Sequence, residues 1–311
     1  MDFLKVGAQT EAQDESQQQP LHLAVAKGHL EIAQCLIDFG AISEVTDKNG
    51  STPLHIAVYN GHLEITKLLI DHGAQIEAKN NFERTPLHLA AFKNFVKLAQ
   101  YLIDMGAPIE AKDKEGKTPL QYAANSSFEV AKLLIDYGAQ TKVKDKFQVS
   151  PLHIAVHKSN FELVKYLVEH GDGAQIEDKI NNGRTPLHLA VDLGIVEFLI
   201  IHGANINAMD IDGWTPLHMA VDQSVNKNTF EIAQFLIDHG AQIESKNRNG
   251  NTALHIAAGK GALEVVKFLV ENGAHVDMRN NHNQTPVYVS NRNGHKEVAN
   301  FLLNRKRKQN Y

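Results

Sequence analysis

The sequence predicts an all-α repeat solenoid: stacked helix-turn-helix units with short projecting β-hairpin loops between them. A recurring four-residue signature, a recurring Gly-Ala pair and two helix signals in every unit carry that prediction. The signature begins as Gln19-Pro20-Leu21-His22 and returns as Thr52-Pro53-Leu54-His55 and Thr85-Pro86-Leu87-His88. Its second residue falls at Pro20, Pro53, Pro86, Pro119, Pro151, Pro186, Pro216, Ala253 and Pro286, in steps of 33, 33, 33, 32, 35, 30, 37 and 33 residues. A fixed period in this range is the mark of stacked units, each too small to bury its own apolar faces. The Gly-Ala pair stands 13 residues before the signature proline at Gly40, Gly73, Gly106, Gly138, Gly173, Gly203, Gly240 and Gly273.

Within a unit, each element has a local cause. Thr52 can cap a helix, because its hydroxyl accepts from an otherwise free N–H of the first turn. Pro53 suits the first helical position, where its missing N–H costs nothing. The first helix is therefore expected from Pro53 to about Asn60-Gly61. A second is expected over Leu63 to His72, with Leu63, Ile65, Leu68, Leu69 and Ile70 as an apolar stripe. Gly73 ends it in the left-handed conformation that helix ends favour. Gln75 to Arg84 alternates and turns at Asn80-Asn81, as a short hairpin would.

This organisation covers nearly all of the 311 residues. One domain is expected over residues 1–311, with nine repeats over 14–304. Residues 1–13, with Gly7-Ala8 at the marker spacing, read as the tail of a partial repeat, and 305–311 as a basic C-terminal tail. At 43% hydrophobic and 22% charged, the composition supplies a core. No apolar run approaches the ~18 to 20 residues of a membrane-spanning helix, and the N-terminus lacks a secretory pattern. A soluble, cytoplasmic chain is expected. A net charge of −5 argues against a general nucleic-acid binder. The single cysteine, Cys35, allows no internal disulfide and occupies a core slot of the second helix.

The pattern resembles ankyrin repeats, whose T-P-L-H-x-A, G-H-L-E-I and G-A elements are met by Thr52 to Ala57, Gly61 to Ile65 and Gly73-Ala74. The resemblance implies a non-enzymatic scaffold that binds a partner protein through a concave face made of first helices and hairpin tips. A structural spacer or regulatory fragment of a longer array is the alternative. The resemblance also implies that a chain from an intracellular bacterium could be delivered into a host cell. A monomer is expected.

Seven of the 17 histidines sit in the signature: His22, His55, His88, His153, His188, His218 and His255. Units packed ~8 to 10 Å apart hold equivalent rings too far apart for zinc, whose ligands sit at ~2.0 to 2.1 Å. They are read as buried and hydrogen-bonded within their turns, with Gln121 able to offer an amide in the fourth unit. No catalytic motif, metal ligand set or cofactor loop is found.

Carried onto these residues, the implied binding face holds Tyr59, Phe92, His157, Asp192 and Asp222 two positions after the signature alanine. Lys93 and Lys158 follow directly, and Arg84, Phe147 and Trp214 lie at hairpin tips. Their variety between units is what a position outside the stacking core would show, and aromatics and Arg are favoured at interface hot spots. Trp214 leans towards packing. The spacing is irregular at Asp172-Gly173, at Asp192-Leu193-Gly194 and over Gln223 to Thr229, where surface-loop drift is favoured over a hinge. Arg305 to Lys308 reads as a solvated helix end.

Overall fold

The computed structural model describes residues 10–170, 176–222 and 227–309. Among them the chain forms eighteen helices in nine pairs. It divides into two compact units, one of Met1–Lys146 with His170–Asp172 and the other of Phe147–Glu169 with Gly173–Tyr311.

The first unit holds α1 (Pro20–Ala26) with α2 (Leu30–Asp38), α3 (Pro53–Asn60) with α4 (Leu63–Asp71), α5 (Pro86–Phe92) with α6 (Val96–Asp104), and α7 (Pro119–Ser126) with α8 (Phe128–Asp136). First helices pack side by side, α1 on α3, α3 on α5 and α5 on α7, and among second helices α2 packs on α4 and α6 on α8. The core repeats with the sequence. Leu21, Leu54, Leu87 and Leu120 are buried from the first helices, and Leu36, Leu69, Leu102 and Leu134 from the second. Ala57, Ala90 and Ala123 are fully buried between neighbouring helices, where only a small side chain lets backbones approach. Each fully buried leucine contributes about 1.5 to 3 kcal/mol of apolar burial.

Helix starts follow the local chemistry. Thr52 is extended (φ −77°, ψ 165°) and its hydroxyl accepts from His55 N–H. Gly73 has φ 85° and stops α4. The signature histidines close the turn from the other side: His55 Nδ1 accepts the Thr52 N–H at 3.2 Å. The opposite nitrogen donates to the following repeat, His55 Nε2 to Arg84 O at 2.9 Å and His88 Nε2 to Lys117 O at 3.1 Å. Gln121 takes the same turn position, accepting the Thr118 N–H at 3.0 Å.

The second unit holds α9 (Pro151–His157) with α10 (Phe161–His170), α11 (Pro186–Leu189) with α12 (Leu193–Ile201), α13 (Pro216–Asp222) with α14 (Lys227–Asp238), α15 (Ala253–Lys260) with α16 (Leu263–Glu271), and α17 (Pro286–Arg292) with α18 (Lys296–Gln309). The same histidine bridge links its repeats through His153 to Asp178 O, His188 to Trp214 O, His218 to Asn251 O and His255 to Gln284 O, at 3.0 to 3.2 Å. Tyr288 lacks this link and is exposed.

The loops between repeats are turns, and no strand forms among the described residues. In the second tip, Asp47 N–H donates to Ser51 O at 3.0 Å and Gly50 N–H to Asp47 O at 2.8 Å. The Asp47 carboxylate accepts the next two donors, Asn49 and Ser51 N–H, so a side chain replaces what a strand ladder would supply. Asn80, Asp113, Asp210, Asn247 and Asn280 hold their turns in the same way. Successive tips are joined by single backbone bonds, such as Asn81 N–H to Asn49 O and Lys114 N–H to Phe82 O. Gly50 has φ 72°, and a Cβ there would lie 2.5 Å from the Asn81 side chain.

The sixth repeat departs from expectation. Helix α11 has four residues, because Ala190 is already extended and the three-residue shortening leaves no chain for a second turn. Residues 1–9 of the partial repeat expected over 1–13, Gly173 with the Asp172-Gly173 addition, and residues 223–226 lie outside the described residues.

Candidate partner-binding surface

In the first unit, the tips and the exposed side of the first helices bring together four of the residues singled out in the sequence. Tyr59, in the last turn of α3, is 45% exposed, and Phe92, at the end of α5, is 44% exposed. Lys93, the residue that caps α5, reaches back over Tyr59, with Nζ 4.1 Å from the ring centroid. This is cation–π distance. Arg84, at the third tip, lies between Phe82 and Tyr122, its guanidinium carbon 5.1 and 5.2 Å from their centroids. Phe92 meets the edge of Tyr122 at 6.2 Å. A groove of about 350 Å³ opens beside these groups, walled by Ile56, Tyr59, Phe82, Arg84 and Leu89 with His55 at its side.

Tyr122 is the member of this cluster that the sequence reading did not select. It stands one residue after the signature His position, where other repeats carry Ile56, Leu89, Ile154, Met219 and Ile256. An aromatic among aliphatics was the available signal. Its hydroxyl donates to Asp113 Oδ2 at 2.7 Å. Burial, then the neighbouring Asp113 carboxylate, hold the Tyr122 phenol well above its ordinary pKa. Asp113 is itself buried, with both oxygens committed: Oδ1 accepts Glu115 and Lys117 N–H, and Oδ2 accepts Tyr122. Arg84 Nε stays 3.8 Å from that carboxylate, outside hydrogen-bond reach.

The candidates of the second unit are differently placed. Phe147, His157 and Lys158 are exposed. Trp214 is half-buried, as its leaning towards packing predicts: its ring meets His218 edge-on at 5.9 Å and its carbonyl accepts from His188. Asp222 pairs with Lys260 at 2.9 Å. Asp192 requires a correction. It does not lie on a first helix but caps α12, its Oδ1 accepting Ile195 N–H at 3.0 Å, because the shortened repeat moves it to the start of the second helix.

The remaining histidine and cysteine readings concern structure. Burial lowers the pKa of His22, His55, His188, His218 and His255, and that of His88 to about 4. The rings therefore stay neutral near pH 7, and in all of these but His22 the proton sits on the Nε2 that donates to the next repeat. Among the described residues no three His, Cys, Asp or Glu side chains gather as a metal site. Cys35 is half-buried. Arg305 pairs with Glu271 at 3.5 Å and covers Phe301. No described helix is long and apolar enough to cross a membrane.

The family model described as ankyrin repeats (3 copies) matches residues 1–80, 76–145, 129–210, 152–247, 190–280 and 217–311, overlapping along the whole chain. No curated protein matches.

Proposed function

Because the chain belongs to the ankyrin-repeat family, whose repeats are generally protein–protein interaction modules, we propose that it is a non-enzymatic scaffold whose first unit holds a partner protein on the side formed by the tips and first helices. The observation that carries this reading is the cluster of exposed Tyr59, Phe82 and Phe92 with half-buried Arg84 and Lys93, of which Tyr59, Phe82 and Arg84 wall one groove. Stacking does not require these side chains. The slot of Tyr59 and Phe92 is Ala26 in the first repeat and Gly259 in the eighth, and the helices there still form. Large aromatics and Arg beside an apolar groove are the residue types in which binding energy concentrates.

The test is the double variant Tyr59→Ala/Phe92→Ala, followed by thermal unfolding and by titration with a partner recovered by pull-down. Stability should fall by much less than the ~3 to 5 kcal/mol of a buried Phe→Ala change. Affinity should fall at least thirtyfold, which corresponds to about 2 kcal/mol or more. Unchanged affinity would take the partner off this surface and favour a spacer role.

A further inference from the structure

The groove does not only expose aromatics; it holds an arginine whose Nε donor has no hydrogen-bond partner. Arg84 and Arg184 precede the signature threonine of their repeats, and each faces the buried aspartate of the next tip. In the second unit, Arg184 Nε donates to Asp210 Oδ2 at 3.2 Å. The residue after the signature histidine there is Met219, which has no hydroxyl to compete. In the first unit the equivalent oxygen, Asp113 Oδ2, accepts Tyr122 OH instead. Tyr122 thus takes the hydrogen bond that Arg184 makes in the second unit, and Arg84 stays at ion-pair distance, 3.8 Å, from the same oxygen. Arg84 is left with an ion pair to Asp113 at 3.8 Å, and its Nε is a buried donor without a hydrogen-bond partner. The flanking rings of Phe82 and Tyr122 hold the guanidinium in place, so little side-chain entropy remains to be lost on binding.

The surroundings state the sign of the missing acceptor. Of the carboxylates nearby, Asp47 lines the groove and accepts Asn49 and Ser51 N–H, Asp113 accepts Tyr122 OH and ion-pairs with Arg84, Glu83 faces Lys79 at 3.9 Å and Glu115 pairs with Lys117 at 2.6 Å. Lys93 lies over the Tyr59 ring and Lys48 Nζ donates to the Ser16 hydroxyl, neither of them an ion pair. A planar guanidinium with free donors pairs bidentately with a carboxylate, and the lysines favour further negative charge. The adjoining groove, with Ile56, Tyr59, Phe82 and Leu89 in its wall, suits a large apolar side chain.

We propose that this groove binds an acidic peptide segment of the partner, with Arg84 receiving an Asp or Glu carboxylate next to an aromatic or aliphatic residue that enters the groove, and with Tyr122 acting as the positioning residue that keeps the Arg84 donors from hydrogen-bonding Asp113. This deepens the interaction reading above and rests on it.

The experiment selects short random peptides from a displayed library on the full-length chain, then titrates one selected synthetic peptide by fluorescence anisotropy against the wild type, Arg84→Gln and Tyr122→Phe. The selected sequences should be enriched in Asp or Glu beside a large apolar residue. Arg84→Gln should weaken binding about tenfold or more, and added salt should weaken the wild type. Tyr122→Phe keeps the ring but lets Asp113 recapture Arg84, so affinity should fall several-fold with an unchanged melting temperature. A structural role alone would move the melting temperature and not the peptide titration.

Acidic peptides indifferent to Arg84→Gln would overturn the proposal. So would tighter binding of a single-stranded oligothymidine, which would make the cations a nucleic-acid surface. Peptides without acidic bias that are still lost on Tyr59→Ala/Phe92→Ala would remove the carboxylate site and keep the interaction reading. Enrichment of no sequence above background would remove both.

Discussion

At the scale of single residues, the signature histidine joins two jobs that a sequence pattern shows as one. Its Nδ1 closes its own turn, and its Nε2–H bonds the following repeat; the first of these needs a neutral ring, since Nδ1 accepts only when unprotonated. This makes folding depend on pH. For His88 the folded-state pKa is lowered to about 4, against ~6.5 in an unfolded chain. As pH falls through ~6.5 the unfolded chain takes the proton first, so stability that is complete above that value is lost progressively down to about 4. At 1.36 kcal/mol per pH unit the loss from this one ring is at most about 3 kcal/mol. Urea unfolding at pH 7 and pH 4.5 measures it, with His88→Gln as the reference. Gln121 already shows that an amide can hold this turn, so the variant should fold and its stability should fall less between the two pH values. Equal pH dependence in both proteins would remove His88 as the source.

At the scale of the element, tips are turns because one side-chain oxygen does the work of a ladder. Asp210 Oδ1 accepts Asp212 and Trp214 N–H at 2.9 Å each, and Oδ2 accepts Arg184. Asp210→Ala strips all three part-buried donors of their acceptor and should cost about 1 to 3 kcal/mol. Asp210→Asn should cost less, since Asn247 and Asn280 hold the same turn with an amide oxygen. Denaturant midpoints of the two variants decide, and an equal loss would mean that charge rather than the accepted bonds matters. The turn was legible as Asx chemistry at Asn80-Asn81, but its depth was not. Alternation over Gln75 to Arg84 suggested a hairpin, whereas two backbone bonds and a side chain leave no donors for strands. Asp192 shows the same limit: counting from the signature alanine places it on a first helix, and only the folded chain shows that helix ending before it.

At the scale of the whole molecule, stability is a sum of repeat and interface terms carried by two compact units, each with its own stack of buried leucines. Because the histidines are spent on these interfaces, metal should leave the sum untouched. Thermal unfolding with added zinc and with chelator should give the same melting temperature. A native-state site would instead stabilise by about 2.7 kcal/mol at a hundredfold excess over its dissociation constant. A saturable rise with zinc would show that histidines outside the signature turns gather in a way the described residues do not.

The sequence by itself determined the period, the helix starts at Thr-Pro, the stops at Gly-Ala and the leucines of the core. Each of these follows from dihedral preference, capping or apolar periodicity within a few residues. It also marked Tyr59, Arg84, Phe92 and Lys93 as positions that the stack does not dictate. Tertiary structure alone decided which carbonyl each His Nε2 would find, because that acceptor lies 25 to 33 residues away in the next repeat. It alone decided, too, that Tyr122 would take the Asp113 oxygen that Arg184 takes from Asp210. Two residues competing for one buried acceptor are settled by distance across the stack, and spacing along the chain does not encode that distance.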